Sequence, residues 1–366
     1  MENKDYLQKQ IITYIGNKRQ LLFLIKEGID LVKIELQQEK ISFLDLFSGS
    51  GIVARFAKQY ASELIVNDLE YYSYVINDCY VSNKDDIDMN LLQEYYQLLK
   101  TTENLTNYGF ISELYAPKDD NDIQKGERVF YTKANAHYLD NMLYNIHAHI
   151  PKELQKFFVA PLLSEASIHV NTAGVFKGFY KGDDGIGSFG AKGKNALSRI
   201  MGNISLPFPL FSNYHTKNKI YQCDANQLID NLDMVDICYL DPPYNQHPYG
   251  SNYFMLNAIA KNSAPTTIST VSGIPNDWQR SNYNNKKKIY SELEDLIERV
   301  KAKYILLSFN NEGYLSKEEL IEILSKNGEL QIIETKYNTY RGSRNLNNRS
   351  IHVSEYLFVL KKIIDK

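Results

Sequence analysis

Apolar residues in this chain fall into short runs separated by turn residues, and the runs predict strands. Residues 41–47 (Ile-Ser-Phe-Leu-Asp-Leu-Phe) read as a strand, Ser48-Gly49-Ser50-Gly51 as the turn after it, and residues 52–60 as a helix. Residues 64–68 (Leu-Ile-Val-Asn-Asp) form a second strand ending in an acid. Together they predict half of a nucleotide-binding, doubly wound α/β sheet. Further strands are predicted at 220–224, 235–240 and 304–309, after a gap of roughly 150 residues. Residues 331–339 and 353–360 read as an antiparallel hairpin closing the sheet.

The intervening segment, 82–215, carries helical runs at 91–99 and 134–149 and then a stretch rich in Gly, Lys and Ser at 177–199. It reads as an inserted second domain, dividing the chain into 1–81, 82–215 and 216–366. No internal repeat or long low-complexity tract interrupts this plan.

Composition changes the picture little. The 366 residues are 43% hydrophobic, a globular proportion, and the net charge of -3 offers a polyanion no overall attraction. A nucleic-acid site must then be a local basic patch. The 28 tyrosines suit base stacking and equally a biased codon usage. Cys79, Cys223 and Cys238 lack ligand spacing, and neither the cysteines nor the seven histidines point to a metal. Residues 1–10 carry no apolar signal core, and no window approaches the roughly 18 apolar residues of a membrane span. A soluble, cytoplasmic protein is expected.

The chemistry is concentrated in Asp241-Pro242-Pro243-Tyr244, directly after the apolar run 235–240. An exocyclic amine on a base is a poor nucleophile because its lone pair is delocalised into the ring. Acceptors aimed at its hydrogens draw that pair out. The Asp241 carboxylate and the Pro242 carbonyl are two such acceptors on a backbone stiffened by proline, and Tyr244 offers a face for stacking. In the turn Phe47-Ser48-Gly49-Ser50-Gly51, glycines allow backbone N–H groups close to a ligand at a helix N-terminus. Asp68, 17 residues after Gly51, stands where this architecture presents a carboxylate to ribose hydroxyls. Asp224 reads either as an acceptor for an adenine amine or as a helix N-cap. Asn310-Asn311-Glu312-Gly313 reads as a pocket wall or a capped turn, His247 as a rim residue, and residues 282–288 as a polar, basic loop without an assigned role.

The order Tyr14-x-Gly16-x-Lys18, Phe47-x-Gly49-x-Gly51, long insert, Asp-Pro-Pro-Tyr resembles the amino group-specific DNA methyltransferases of the alpha arrangement, in particular the adenine-N6 subgroup related to the Dam enzymes. The resemblance implies a doubly wound, Rossmann-like sheet binding S-adenosylmethionine, with an inserted target-recognition domain. By the same resemblance Phe47, Gly49 and Gly51 line the methionine end of the cofactor and Asp45 the same loop. It gives Asp68 the ribose, and Tyr14, Gly16 and Lys18 the neighbourhood of the methionyl carboxylate. Asp241, Pro242, Pro243 and Tyr244 then hold the target adenine. Asn171-Thr-Ala-Gly174-Val-Phe176 is similar to an element that Dam-like enzymes place against DNA, followed here by Lys177 where relatives often carry Asn. The segments 185–199 and 337–350 resemble methyltransferases of restriction-modification systems, so a paired endonuclease is an open expectation.

Lys177, Lys181, Lys192, Lys194 and Arg199, with Arg341, Arg344 and Arg349 in the hairpin loop, read as phosphate and base contacts. The implied reaction is direct transfer to a flipped adenine in duplex DNA by a monomer or weak dimer, without a covalent enzyme intermediate or a metal. Cytosine N4 and RNA adenine are the rival targets, and a non-catalytic DNA-binding scaffold is the rival outside enzymology.

Overall fold

The computed structural model describes residues 1–103, 109–194, 196–338 and 352–363. Seven strands form one sheet in the order β3-β2-β1-β4-β5-β7-β6. They are β1 (Ile41–Asp45), β2 (Ala61–Asp68), β3 (Lys217–Gln222), β4 (Val235–Leu240), β5 (Ala302–Asn310), β6 (Gly328–Asn338) and β7 (His352–Lys362). Strands β3 to β5 run parallel, and β7 is antiparallel to both neighbours. Every residue of β4 is buried, as expected for a strand covered on both faces, and its one acid, Asp236, accepts from the Ser42 N–H at 2.8 Å and Lys303 Nζ at 2.8 Å.

The strand order reverses between β1 and β4, and open sheets of this kind bind ligands in the crevice beyond the carboxyl ends at such a reversal. Both chemistry-bearing motifs leave the sheet there. The helices Ala225–Leu228, Ile289–Arg299 and Lys317–Ser325 cover one face. Leu22–Leu36 and Ile52–Ala57 cover the other.

Two features differ from the expectation. β3 pairs with β2, so the strand expected to begin the second half of the sheet completes the first. The closing hairpin forms, but its second strand docks on β5 and leaves β6 at the edge. The side chains explain that order. β7 buries Tyr356, Phe358 and Leu360 on one face and Leu357 and Val359 on the other, whereas β6 is punctuated by charge and suits an edge.

The helical segment between β2 and β3 packs beside this sandwich. Met89–Thr102 starts at Asp88, whose carboxylate accepts from the N–H groups of Asn90 and Leu91, and Lys133–His149 starts at Thr132. With Lys156–Ile168 they share a core that also includes Tyr71–Tyr80 and Phe254–Lys261. Residues 82–215 therefore share their apolar interior with helices from both flanking segments. No helix among the described residues is long and apolar enough to cross a membrane.

Candidate active site

β1 ends at Asp45, and the chain then turns through the glycine loop into the helix Ile52–Ala57. Gly49 and Gly51 both have positive φ, and a Cβ on them would lie 2.7 Å from the Tyr14 ring and 2.5 Å from Asn77 Oδ1. Only glycine fits these two positions without displacing a neighbour. The helix Tyr71–Tyr80 clamps the loop: Ser73 Oγ donates to the Gly49 carbonyl at 2.6 Å and Asn77 Nδ2 to Ser48 Oγ at 2.9 Å.

Asp68, at the end of β2, accepts the Gly49 N–H at 2.7 Å and the Glu70 N–H at 2.8 Å. Burial raises its carboxyl above the usual range, and these backbone donors offset part of the rise. Glu70 was not foreseen. It is nearly buried and accepts from Asn257 Nδ2 at 2.6 Å, and burial pushes its carboxyl up to about 7. Asp45 is fully buried with no hydrogen-bond partner for either carboxylate oxygen among the described residues. Burial, then the nearby Asp241 and Asp68, hold its carboxyl well above the ordinary range. Asp224 is a helix N-cap, accepting from the N–H groups of Asn226 and Gln227, and it also lines the cavity.

That cavity lies in the crevice beside β1 and β4 and is open to solvent on one side. Tyr14, Gly16, Lys18, Asp45, Phe47, Gly49, Asp68 and Asp224 all line it, as do Asp241 and Pro243. Gly51 lies one step behind the lining, at the helix start. Tyr249, Tyr283 and Asn284 also line it and were not singled out from sequence. Tyr14 stacks at 4.9 Å on both Tyr249 and Tyr253, and Phe47 meets Tyr283 edge-on at 5.1 Å. Tyr283 lies in a segment without a strand–turn–helix signature, and a local pattern could not have placed it on this wall.

Asp241 follows the last residue of β4. Lys18 Nζ is 3.3 Å from its Oδ1 and 2.6 Å from Glu355 Oε1, so the lysine expected beside the cofactor is already engaged with two protein carboxylates. Burial raises the Asp241 carboxyl to about 6 against the lowering effect of Lys18. Pro242 is buried. The Tyr244 ring packs at 5.0 Å on Phe309, its hydroxyl accepts from Asn310 Nδ2 at 2.9 Å, and its carbonyl accepts the Tyr314 N–H at 2.8 Å. Asn310 Oδ1 also accepts the Glu312 N–H at 3.0 Å, so this residue both holds its own turn and supports Tyr244 from behind.

The expected DNA contacts divide into interior and exposed groups. Asn171 is fully buried: its amide donates to the carbonyls of Val129 and Ser188 at 2.8 Å each and accepts the Gly190 N–H at 2.9 Å. Phe176 is buried too, its N–H on the Asn252 carbonyl at 2.7 Å and its ring against Tyr253. Both side chains therefore shape the loop rather than face outward. Arg199 is likewise committed to the protein, donating to the carbonyls of Ile168, Val170 and Thr172. Gly174, with positive φ, and the exposed Lys177 lie on the outer part of this loop. Lys177 is close enough to His247 to help depress its imidazole, after burial. Lys192 and Lys194 are exposed, and Lys192 pairs with Asp183 at 2.7 Å. Arg341, Arg344 and Arg349 lie outside the described residues.

A mostly parallel sheet with its chemistry at the strand-order reversal defines a Rossmann-like methyltransferase fold. The family model for D12 class N6 adenine-specific DNA methyltransferases matches residues 14–323, and the chain belongs to that family. The type II methyltransferase M.NlaIII of Neisseria lactamica is 32% identical over 359 residues, covering 96% of this chain and 99% of that protein. The type II methyltransferase M.CviAII of Paramecium bursaria Chlorella virus 1 is 28% identical, covering 95% and 97%. The modification methylase StsI of Streptococcus sanguinis is 30% identical over 95% of this chain, which spans 52% of that longer protein. The protein is an enzyme that methylates adenine N6 in DNA, and neither cytosine, RNA nor a non-catalytic scaffold is favoured.

Proposed function

We propose that this enzyme takes its methyl group from S-adenosylmethionine bound in the cavity beside β1 and β4 and modifies a specific site in duplex DNA within a restriction-modification system. The charge of the cavity carries the cofactor reading. Asp45, Asp68, Glu70, Asp224 and Asp241 line it, and the single cation among its described lining residues, Lys18, is shared by Asp241 and Glu355. Such a wall repels the pyrophosphate of a dinucleotide and suits a sulfonium with an ammonium group. The unpartnered carboxylate of Asp45 beside Gly49 fits the same ligand.

Asp68 and Glu70 are the candidates for the ribose hydroxyls, Tyr283 and Asp224 for the adenine end of the cofactor, and Phe47, Tyr14 and Gly16 for its methionyl end. Bound cofactor supplies an electrophilic methyl group: the amine's lone pair forms the C–N bond as the methyl–sulfur electron pair returns to sulfur. The protein's part is to expose that lone pair. Asp241 and the Pro242 carbonyl accept from the target amine, Pro243 stiffens the loop, and Tyr244 stacks on the flipped base, after which one amine proton passes to water. Residues 82–215 supply the recognition surface, with Gly174, Lys177, Lys192 and Lys194 at the DNA, while Asn171, Phe176 and Arg199 fix its shape. The names of the relatives support a cognate endonuclease as partner. We further propose that the enzyme acts as a monomer or weak dimer in the cytoplasm, where its DNA lies.

The test is transfer of tritium from labelled S-adenosylmethionine to duplex DNA and RNA, with nucleoside mass spectrometry and mapping of modified positions. N6-methyladenine at one short duplex motif is expected. Transfer to scattered sites, or preferentially to single strands, would contradict site-specific duplex modification.

A further inference from the structure

Glu355 belongs to none of the sequence motifs and lies beyond residues 14–323, the span matched by the family model. It stands on β7 opposite Asn310 of β5, the residue whose amide holds Tyr244. Its side chain is fully buried, on the strand face that carries Leu357 and Val359. An isolated carboxylate is expensive there. Glu355 Oε1 accepts from Lys18 Nζ at 2.6 Å and from Ser308 Oγ at 3.0 Å, and the same ammonium reaches Asp241 at 3.3 Å. One buried cation thus serves a fully buried carboxylate and a half-buried one, and the shorter contact goes to the one remote from the reaction.

We propose that Glu355 is a positioning residue for methyl transfer: through Lys18 it fixes the direction of the Asp241 carboxylate and prevents a full ion pair from draining its strength as an acceptor. This rests on the reading of Asp241 as acceptor for the target amine. Without Lys18, a half-buried Asp241 would hold its proton and donate where it must accept. With Lys18 undivided, Asp241 would be ionised but weak. Glu355 sets the balance between these states, raising the Asp241 carboxyl while Lys18 lowers it. The other groups facing the cluster are Asp45 from β1, Tyr239 from β4, and Tyr244 and Tyr249 from the segment after β4.

The experiment is the single-turnover rate of methyl transfer against pH, with S-adenosylmethionine and duplex DNA carrying the mapped site, for wild type, Glu355→Gln, Asp241→Asn and the double variant. Glu355→Gln should move the acid limb to lower pH and lower the plateau about tenfold, a fraction of the roughly 10²–10³-fold loss from deleting a direct acceptor. Cofactor and DNA affinities should stay unchanged, and the substitution should add little to Asp241→Asn. An unmoved limb, whether or not the plateau falls, overturns the proposal. Should Glu355→Gln fail to fold, Ser308→Ala decides: Glu355 loses a donor, draws Lys18 closer, and the limb moves up; an unmoved limb again overturns it. Asp241→Ala, which leaves no side-chain acceptor, at wild-type rate would instead remove the underlying reading, which separates the two failures.

Discussion

The Asp241 carboxylate is the stronger acceptor while ionised, because protonation turns one of its oxygens into a donor and leaves only the carbonyl oxygen to accept from the amine. With its carboxyl raised to about 6, methyl transfer should rise as pH passes through that value and level off above it. Asp241→Ala should lower turnover roughly 10²–10³-fold, as for removal of an oxyanion-hole donor. It should leave cofactor binding in place, since Asp68 and the glycine loop are untouched. Single-turnover tritium transfer and equilibrium cofactor binding check the two halves, and near-normal transfer by the variant would remove Asp241 from the chemistry. This residue was legible in sequence because a strand, a turn and the reacting groups are contiguous there. Glu355 was not, because its function comes from β7 docking next to β5. Its only local signal was an acid at a strand position whose neighbours two and four residues on are Leu357 and Val359.

At the scale of elements, the Gly- and Lys-rich segment separates into a scaffold and a surface, and the two should respond differently to substitution. Arg199→Met removes donors from three carbonyls and should cost about 1–3 kcal/mol of stability, seen as a lower Tm, without changing the salt dependence of DNA binding. Lys177→Ala and Lys194→Ala should leave the Tm alone, and each should reduce the slope of log affinity against log salt by about 0.9. Lys192, paired with Asp183, should contribute less. A reduced slope for Arg199→Met with unchanged Tm would reverse the assignment. Charge alone gave Arg199 and the lysines the same reading from sequence, and only packing separates them. Packing also hid the helix Lys156–Ile168, which is buried on nearly all sides and carries Pro161, so that it shows no amphipathic period. By contrast Met89–Thr102 and Lys133–His149 were foreseen from their periodicity, and their caps explain where they start.

The whole molecule places a net negative charge around one cavity, and this links its stability to its ligand. Glu70 has its carboxyl raised to about 7 and Asp241 to about 6, and Asp45 and Asp68 are raised as well. In the unfolded chain these acids ionise near their ordinary values, about 4. Between about pH 4 and 7 the folded protein therefore binds more protons than the unfolded one, and its stability falls as pH rises. Above pH 7 Glu70 alone contributes a penalty of up to about 3 kcal/mol, from its shift of pKa at about 1.4 kcal/mol per unit. A cationic ligand should relieve this penalty, and most strongly where the acids are ionised. Thermal unfolding from pH 5 to 8 should show the ligand-free Tm falling while the increase produced by S-adenosylmethionine grows. The demethylated thioether product, which lacks the sulfonium charge, should show a weaker rise across the same interval. Equal pH dependence for both ligands would mean that the cavity does not select the sulfonium by charge. In Glu70→Gln the decline in the ligand-free Tm should become shallower, because the group with the highest raised value no longer titrates.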